Sequence, residues 1–401
     1  MLFVSTVFGA FNMDISHLLT SHAINMQASL VRELLHYSQQ PDILSLAGGL
    51  PDEKLMPAYP ALAQLTDSRQ YGASEGEKGL REIIARLVEE RGLHVTPDNV
   101  LVTNGSQQGL DIISRLILDE NSTILTEQPT YLAACQVFKL QGAKVQGVPS
   151  DSEGMSVSAL RNAIENANPK AVYLIPNFQN PTGHCYSLKR RKDIAALLDE
   201  KGVLLIEDDP YRDLCYEEVD LTPITALLKQ APWLYMGSFS KVLWPGLRTG
   251  YVVSSVEFSS HLVKIKQAID LHTNRLGQNM IAVFVASEMF PAHIAKLQQS
   301  YKEKRDAMSK ALVAELGDRV EFNIPAGGMF FWLTLPDGVS SKQVMTEALE
   351  KKVLVLPGTP FFPNKHSQED AFLRLSFARL SLEEIQQAIH ILSGVIRRSM
   401  V

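Results

Sequence analysis

Between Asn99 and Val253 the chain repeats one pattern, a short apolar run followed by a longer stretch with helical spacing. The runs are NVLVTN, STILTE, AKVQGV, AVYLIPN, VLLIEDD, WLYMGS and GYVVSS. Between most of them stand QQGLDIISRLIL, YLAACQVFKLQ, SALRNAIENA and LKRRKDIAALLDEKG. Short runs with little polar alternation suit strands buried on both faces. Strands that alternate with helices are joined by crossovers, and crossovers build a mostly parallel sheet with helices on either side. The predicted class is therefore α/β, with a mostly parallel, doubly wound sheet.

Beyond Val253 the pattern changes. A long amphipathic stretch, Pro291 to Leu316, leads into VEFNIPAGGMFFWLTL. A helix near Ser341 to Lys351, short strands in VLVLPG and FLRLSF, and a last helix from Leu382 to Arg397 follow. This reads as a smaller α+β domain, and a helical segment around Leu30 to Tyr37 is expected to join it. A length of 401 residues also favours two lobes over one core. The expected division is an extension over 1–12, a segment 13–60 joining the small domain, a large domain 61–295 and a small domain 296–401. The extension, MLFVSTVFGAFN, is apolar, carries no basic residue and is too short to span a bilayer, and Met13 is an alternative start. No membrane partner is expected.

Composition narrows the function classes. An apolar content of 45% and a charged content of 20% are those of an ordinary soluble enzyme. A net charge of −6 gives no basic footprint for nucleic acid. Cys135, Cys185 and Cys215 stand far apart with no C-x-x-C pair, so neither a disulfide framework nor a metal site is expected, and a reducing cytoplasm fits. No G-x-G-x-x-G follows a strand and no Walker A sequence occurs, which argues against nicotinamide and ATP.

Several apolar runs end in polar groups: LVTN before Gly105-Ser106-Gln107, YLIP before Asn177, LLIE before Asp208, and YMG before Ser238 and Lys241. In a doubly wound sheet ligands bind beyond the carboxyl ends of the strands, so these groups are expected to converge. The segment SFSKVLWPGLRTGY sets Lys241 between hydroxyl residues and a Trp-Pro-Gly turn. A lysine in an apolar frame needs a chemical reason, and a desolvated amine held as a Schiff base with pyridoxal phosphate supplies one. Ser238, Ser240 and Arg248, with amides at the start of the helix after Asn104-Gly105-Ser106-Gln107, make a phosphate-binding set.

A pyridine ring is the better electron sink when a buried carboxylate keeps its nitrogen protonated. Asp208 suits that role, with strand alternation sending Glu207 and Asp209 the other way; a solvated acidic cluster at the strand end is the competing reading. Tyr211 and Asn180 could bond the ring oxygen, and Tyr131 could stack on the ring face. The Gln128–Pro129 and Asn180–Pro181 bonds stand in loops that turn sharply to present Tyr131 and Asn180, and both are expected to be cis. Arg374, within FLRLSF, offers the planar guanidinium needed to orient an α-carboxylate, against the alternative of a buried structural ion pair.

GSQQGLD, NFQNPTG, EDDPY and SFSKVLWPGLR together resemble the fold type I, pyridoxal-phosphate-dependent aminotransferases of class I. QASLVRELL…ILSLAGGLPDEKLMP and DLHTNRLGQNM are similar to the 2-aminoadipate/kynurenine aminotransferase group, and the likeness runs from about Met26 to the C-terminus. The resemblance implies Lys241 as Schiff-base lysine and proton shuttle, Asp208 on the pyridine nitrogen, Asn180 and Tyr211 on the ring oxygen, and Tyr131 on the ring face. It implies Ser106, Gln107, Ser238, Ser240 and Arg248 on the phosphate, with Tyr71 reaching the phosphate of a neighbouring subunit in a homodimer. It implies Arg374 on the substrate α-carboxylate with Gly49 lining the pocket, and Arg32 meeting a side-chain carboxylate. Arg32 has a plainer reading as a helix arginine paired with Glu33. The extension before Met13 has no counterpart in the family pattern.

The expected activity is transfer of an amino group from 2-aminoadipate, a leucine-like or an aromatic amino acid to 2-oxoglutarate. A lyase or decarboxylase on the same cofactor, and a non-catalytic regulatory domain, are the rivals. No helix-turn-helix-sized segment stands ahead of the domain, which weighs against the regulator.

Overall fold

The computed structural model describes residues 34, 37, 40–60, 68, 70–364, 366 and 368–400. The extension over 1–12, Arg32 and most of the expected helix around Leu30 to Tyr37 lie outside the described residues. Of that helix, Leu34 belongs to an apolar cluster with Ile43, Leu354, Leu356 and Phe361.

The first strand, β1 (Leu44–Ser45), is followed by β2 (Val100–Thr103), β3 (Thr123–Gln128), β4 (Lys144–Asp151), β5 (Gly154–Met155), β6 (Ala171–Leu174), β7 (Leu204–Asp208), β8 (Trp233–Ser238) and β9 (Gly250–Ser254). Strands β2 to β9 form one eight-stranded sheet in the order β2-β9-β8-β7-β6-β3-β4-β5. Neighbours from β8 through β4 pair in parallel, while β9 runs antiparallel to β2 and β8, and β5 to β4. Each of the seven apolar runs is a strand of this sheet, so the mostly parallel α/β reading holds.

Burial on both faces follows from the strand period of two. Ile124, Tyr173 and Ile206 enter one apolar cluster, and Leu125, Val172, Leu174 and Leu205 enter another on the opposite side. The four expected helices occupy Ser106–Ile117, Leu132–Leu140, Val157–Ala167 and Leu188–Lys201. Ser156 and Ser187 cap the last two, accepting from the N–H groups of Ala159 and Arg190. Helices Lys78–Glu89, Val256–Asp270 and Arg275–Val285 were not marked by the sequence pattern. In Val256–Asp270 the reason is visible: Lys266 is fully buried while Ile269 is exposed, so charge and apolarity misreport the faces.

The C-terminal part holds β10 (Glu321–Phe322), β11 (Phe330–Thr334), β12 (Val353–Leu354), β13 (Leu356–Pro357) and β14 (Phe372–Ser376). An antiparallel sheet runs β10-β11-β14-β13, and β12 pairs in parallel with β1. The backbone N–H of Ser376 donates to the carbonyl of Leu46 at 2.6 Å, so the chain after β1 runs along β14. Helix Met289–Leu316, 28 residues long, packs on Leu382–Ser399, whose start has a Ser381–Glu384 capping box. Lys304 on the long helix donates to Asp52 Oδ2 at 2.5 Å and to the carbonyl of Ala378 at 2.8 Å, which secures the segment around Asp52 to this unit. Among the described residues no single helix is long and apolar enough to cross a bilayer.

Candidate active site

At the carboxyl end of β7 three consecutive acids part company. Glu207 accepts from the backbone N–H groups of Ile224 at 3.1 Å and Thr225 at 2.7 Å. Asp209 accepts from Asn177 Nδ2 and from the Tyr235 hydroxyl, each at 2.7 Å. Asp208, on the other side of the strand, accepts one hydrogen bond, from the Tyr173 hydroxyl to Oδ2 at 2.8 Å. Its Oδ1 is buried without a partner. All three acids are at most 3% exposed, which excludes a solvated cluster. Burial pushes the Asp208 pKa up to about 7; the Tyr173 hydrogen bond and the Lys241 charge oppose the rise. A buried carboxylate oxygen with no donor is costly unless a donor arrives with a ligand.

Lys241 lies on the loop after β8. Its Nζ donates to the carbonyl of Gly49 at 3.0 Å and stands 5.8 Å from the centre of the Tyr211 ring. Burial first, then the positive charges of Arg374 and Arg248, bring its pKa down to about 8, with Asp208 pulling the other way. Near neutral pH an appreciable fraction of this amine is uncharged, as a nucleophile and base requires.

A second group of residues forms a cradle beside the lysine. Gly105, at φ +76°, turns the chain from β2 into helix Ser106–Ile117. The first-turn N–H groups of such a helix lack intrahelical acceptors. Arg248 is held in the left-handed region at φ +49°, and its Nη1 reaches Ser240 Oγ at 3.4 Å. A Cβ added to Gly105 would stand 2.6 Å from Arg248 Nη2, and one added to Gly250 would stand 2.7 Å from the Ser106 nitrogen. Ser238 Oγ accepts from the Ser240 N–H at 3.1 Å. Amides, hydroxyls and a guanidinium thus meet where two glycines keep the backbone bare, a donor set suited to a phosphate.

On the far side, Arg374 projects from β14 and is 3% exposed. Nη1 donates to Asn180 Oδ1 at 2.8 Å and Nη2 to the carbonyl of Ala47 at 2.5 Å, while Nε has no acceptor. The guanidinium lies 4.3 Å from the Phe330 ring centre and 5.0 Å from that of Phe361. Its partners among the described residues are neutral oxygens, so the structural ion pair is not what keeps it there. Burial lowers its pKa to about 10. Asn180 Nδ2 donates to the Tyr211 hydroxyl at 3.4 Å, linking Arg374 to the centre of the site. Gly49 packs against Phe330, where a Cβ would come within 2.7 Å of the ring.

Most residues singled out from sequence are therefore brought together. The Tyr131 hydroxyl donates to Gln107 Oε1 at 3.4 Å, beside the cradle. The Gln128–Pro129 and Asn180–Pro181 bonds are both cis. Asn177 departs from the expected convergence: its side chain is spent on Asp209 and on Arg191, whose Nη2 donates to Asn177 Oδ1 at 2.6 Å. Tyr71 is 77% exposed and edge-on to His272, with ring centres 5.9 Å apart. Sequence reasoning missed Tyr173, fully buried in AVYL, where a hydroxyl in an apolar run was itself the signal of a buried partner. It also missed the aromatic walls Phe330 and Phe361.

The residues present fit pyridoxal phosphate on two observations, the unpartnered Asp208 Oδ1 and the glycine-floored cradle. Residues 42–392 match the family model described as aminotransferase class I and II. The 2-aminoadipate transaminase of Thermus thermophilus is 39% identical over 93% of this chain and 94% of its own length. The aromatic-amino-acid aminotransferase 1 of Thermococcus litoralis is 35% identical over 97% and 96%. A crystal structure of α-aminoadipate aminotransferase from Thermus thermophilus, complexed with N-(5'-phosphopyridoxyl)-L-leucine, superposes with a TM-score of 0.88 at 37% identity, covering 97% of this chain and 99% of that one.

Proposed function

This chain belongs to the class I and II aminotransferase family, and from that premise we propose that it moves the amino group of 2-aminoadipate, a leucine-like or an aromatic amino acid to 2-oxoglutarate. It is a pyridoxal-phosphate-dependent aminotransferase with the fold type I architecture. The observation that carries the substrate reading is Arg374, a buried guanidinium with neutral partners and an Nε that lacks an acceptor. A carboxylate is the ligand that such a group lacks.

Pyridoxal phosphate, when bound, supplies an electron sink that makes the Cα–H bond of a bound amino acid acidic. Lys241, whose lowered pKa suits a base, would be the group that accepts and gives back that proton. Asp208, with its unpartnered Oδ1, would hold the ring nitrogen and keep a proton on it. Asn180 and Tyr211 bond the ring oxygen, and Tyr131 covers the ring face. Ser106, Gln107, Ser238, Ser240 and Arg248 hold the phosphate, joined by Tyr71 from a second copy in a homodimer; the exposed position of Tyr71 suits that role. Arg374 would hold the α-carboxylate and so orient the amino acid, with Gly49 leaving room for the substrate. Arg32 meets the side-chain carboxylate of acidic donors. The lobes are 61–295 on one side and 13–60 with 296–401 on the other, and three free cysteines suit a reducing cytoplasm.

The test is a panel of amino donors with 2-oxoglutarate, read as glutamate formed. Glutamate from 2-aminoadipate, leucine or an aromatic donor supports the proposal. Consumption of donor with release of ammonia or carbon dioxide and no glutamate would assign a lyase or decarboxylase instead. Arg32→Ala should weaken 2-aminoadipate and glutamate about ten- to a hundred-fold relative to leucine. An equal loss for all donors would make Arg32 structural.

A further inference from the structure

At the start of helix Ser106–Ile117 four polar side chains are linked by hydrogen bonds. Asn104 Nδ2 and Gln108 Nε2 both donate to Asp270 Oδ2, each at 2.6 Å. Gln108 Oε1 accepts from the backbone N–H of Asn104 at 2.8 Å and from Lys266 Nζ at 2.7 Å. Lys266, fully buried, also donates to Asp270 Oδ2 at 2.9 Å. Lys266 and Asp270 stand one turn apart at the end of helix Val256–Asp270. The chain then turns at Leu271, which holds φ +65°. The chemistry proposed above uses none of the four.

Lys266 is buried and Asp270 is half-buried, and an ion pair of this kind adds little stability, so its geometry is the better clue to its use. The cluster grips the chain on both sides of Gly105, through Asn104 before it and Gln108 after it. Gly105 is the residue whose left-handed backbone aims the first-turn amides into the cradle. Amides bind an anion well only when their direction is fixed before it arrives. The charges also balance: Lys266 Nζ stands 2.8 Å from Asp270 Oδ1, so the cluster brings no net negative charge to the helix start.

We propose that the Asn104–Gln108–Lys266–Asp270 cluster is a positioning device that holds the Gly105–Gln107 backbone in phosphate-binding register. This rests on the reading of Ser106 and Gln107 as phosphate ligands. The test titrates the full-length chain, freed of cofactor, with pyridoxal phosphate and with pyridoxal, following protein fluorescence. The wild type should prefer pyridoxal phosphate strongly. Lys266→Met/Asp270→Asn removes the pair without leaving a lone charge, and Gln108→Leu removes the acceptor of the Asn104 backbone N–H while keeping the pair and the Asn104–Asp270 bond. Each should weaken pyridoxal phosphate about tenfold or more and pyridoxal less than about twofold. Thermal melting of the cofactor-free chains checks folding, and Gln108→Leu carries the test if the double variant does not fold. Unchanged affinity for pyridoxal phosphate, or an equal loss for both ligands, overturns the proposal. A wild type that binds both ligands equally overturns instead the assignment of Ser106 and Gln107 to phosphate.

Discussion

The phosphate end of the site and the carboxylate end reach similar chemistry by different construction. At the phosphate end the donors come from two short stretches, 104–107 and 238–248, each the continuation of a strand of the large sheet. In the proposed reading several donors share one anion, and the Asn104–Gln108–Lys266–Asp270 cluster braces the backbone that carries them. The proposed carboxylate end rests on a single guanidinium, and it is assembled from Ala47, Asn180, Phe330, Phe361 and Arg374, which no local sequence brings together. Redundant local donors should tolerate single losses, whereas the end built on one side chain should not.

That contrast can be broken by substitution, beginning with the lysine between the two ends. Lys241→Ala should abolish turnover, a loss of at least about 10⁴-fold, since proton transfer has no other agent there. Borohydride should fix cofactor on Lys241 in the wild type, and a label on any other lysine would refute the assignment. Asp208→Asn should keep cofactor and lose about 10²–10³-fold in kcat, as expected when a group aimed at developing charge is removed. Near-normal kcat would mean that the ring nitrogen has another partner. Arg374→Ala should lower kcat/KM about ten- to a hundred-fold, with cofactor absorbance unchanged. Ser240→Ala, at the shared end, should weaken cofactor binding only a few-fold. If the serine change proves the more damaging of these two, the contrast between the ends is wrong.

A pH experiment sharpens the same comparison. The Asp208 pKa is raised on folding from an ordinary 3.8 to about 7. Between those values the folded protein holds a proton that the unfolded chain has released, so this group's stabilising contribution is lost as pH rises through about 7. A protonated ring nitrogen beside the carboxylate would offset that loss. The rise in melting temperature on adding pyridoxal phosphate should therefore be larger at pH 8 than at pH 6. Asp208→Asn should lose most of the difference, and an unaltered pH dependence would place the responsible group elsewhere.

The strands of the large sheet were legible because a parallel sheet buried on both faces leaves almost unbroken apolar runs, and its carboxyl edge is marked by the first polar residue after each run. Lys241, Asp208 and the cradle were legible for the same reason. Other features were hidden because their signal lies in the partner and not in the residue. Asn177 looked like a member of the edge set until Arg191 and Asp209 occupied it. Tyr173 looked like core until its hydroxyl met Asp208. Lys266, on a helix the sequence pattern did not mark, is buried against Gln108 and Asp270.

By itself, the amino-acid sequence determined the architecture and pointed to Lys241, Asp208 and the residues of the cradle as candidates, because strand periodicity and turn residues act over a few positions. Only the tertiary structure decided which acid at the end of β7 is left with a free oxygen, and that no carboxylate among the described residues stands beside Arg374. Those outcomes depend on hydrogen bonds between residues 35 positions apart for Tyr173 and Asp208 and 194 apart for Asn180 and Arg374. A buried polar atom is satisfied or left wanting by whatever the fold brings next to it.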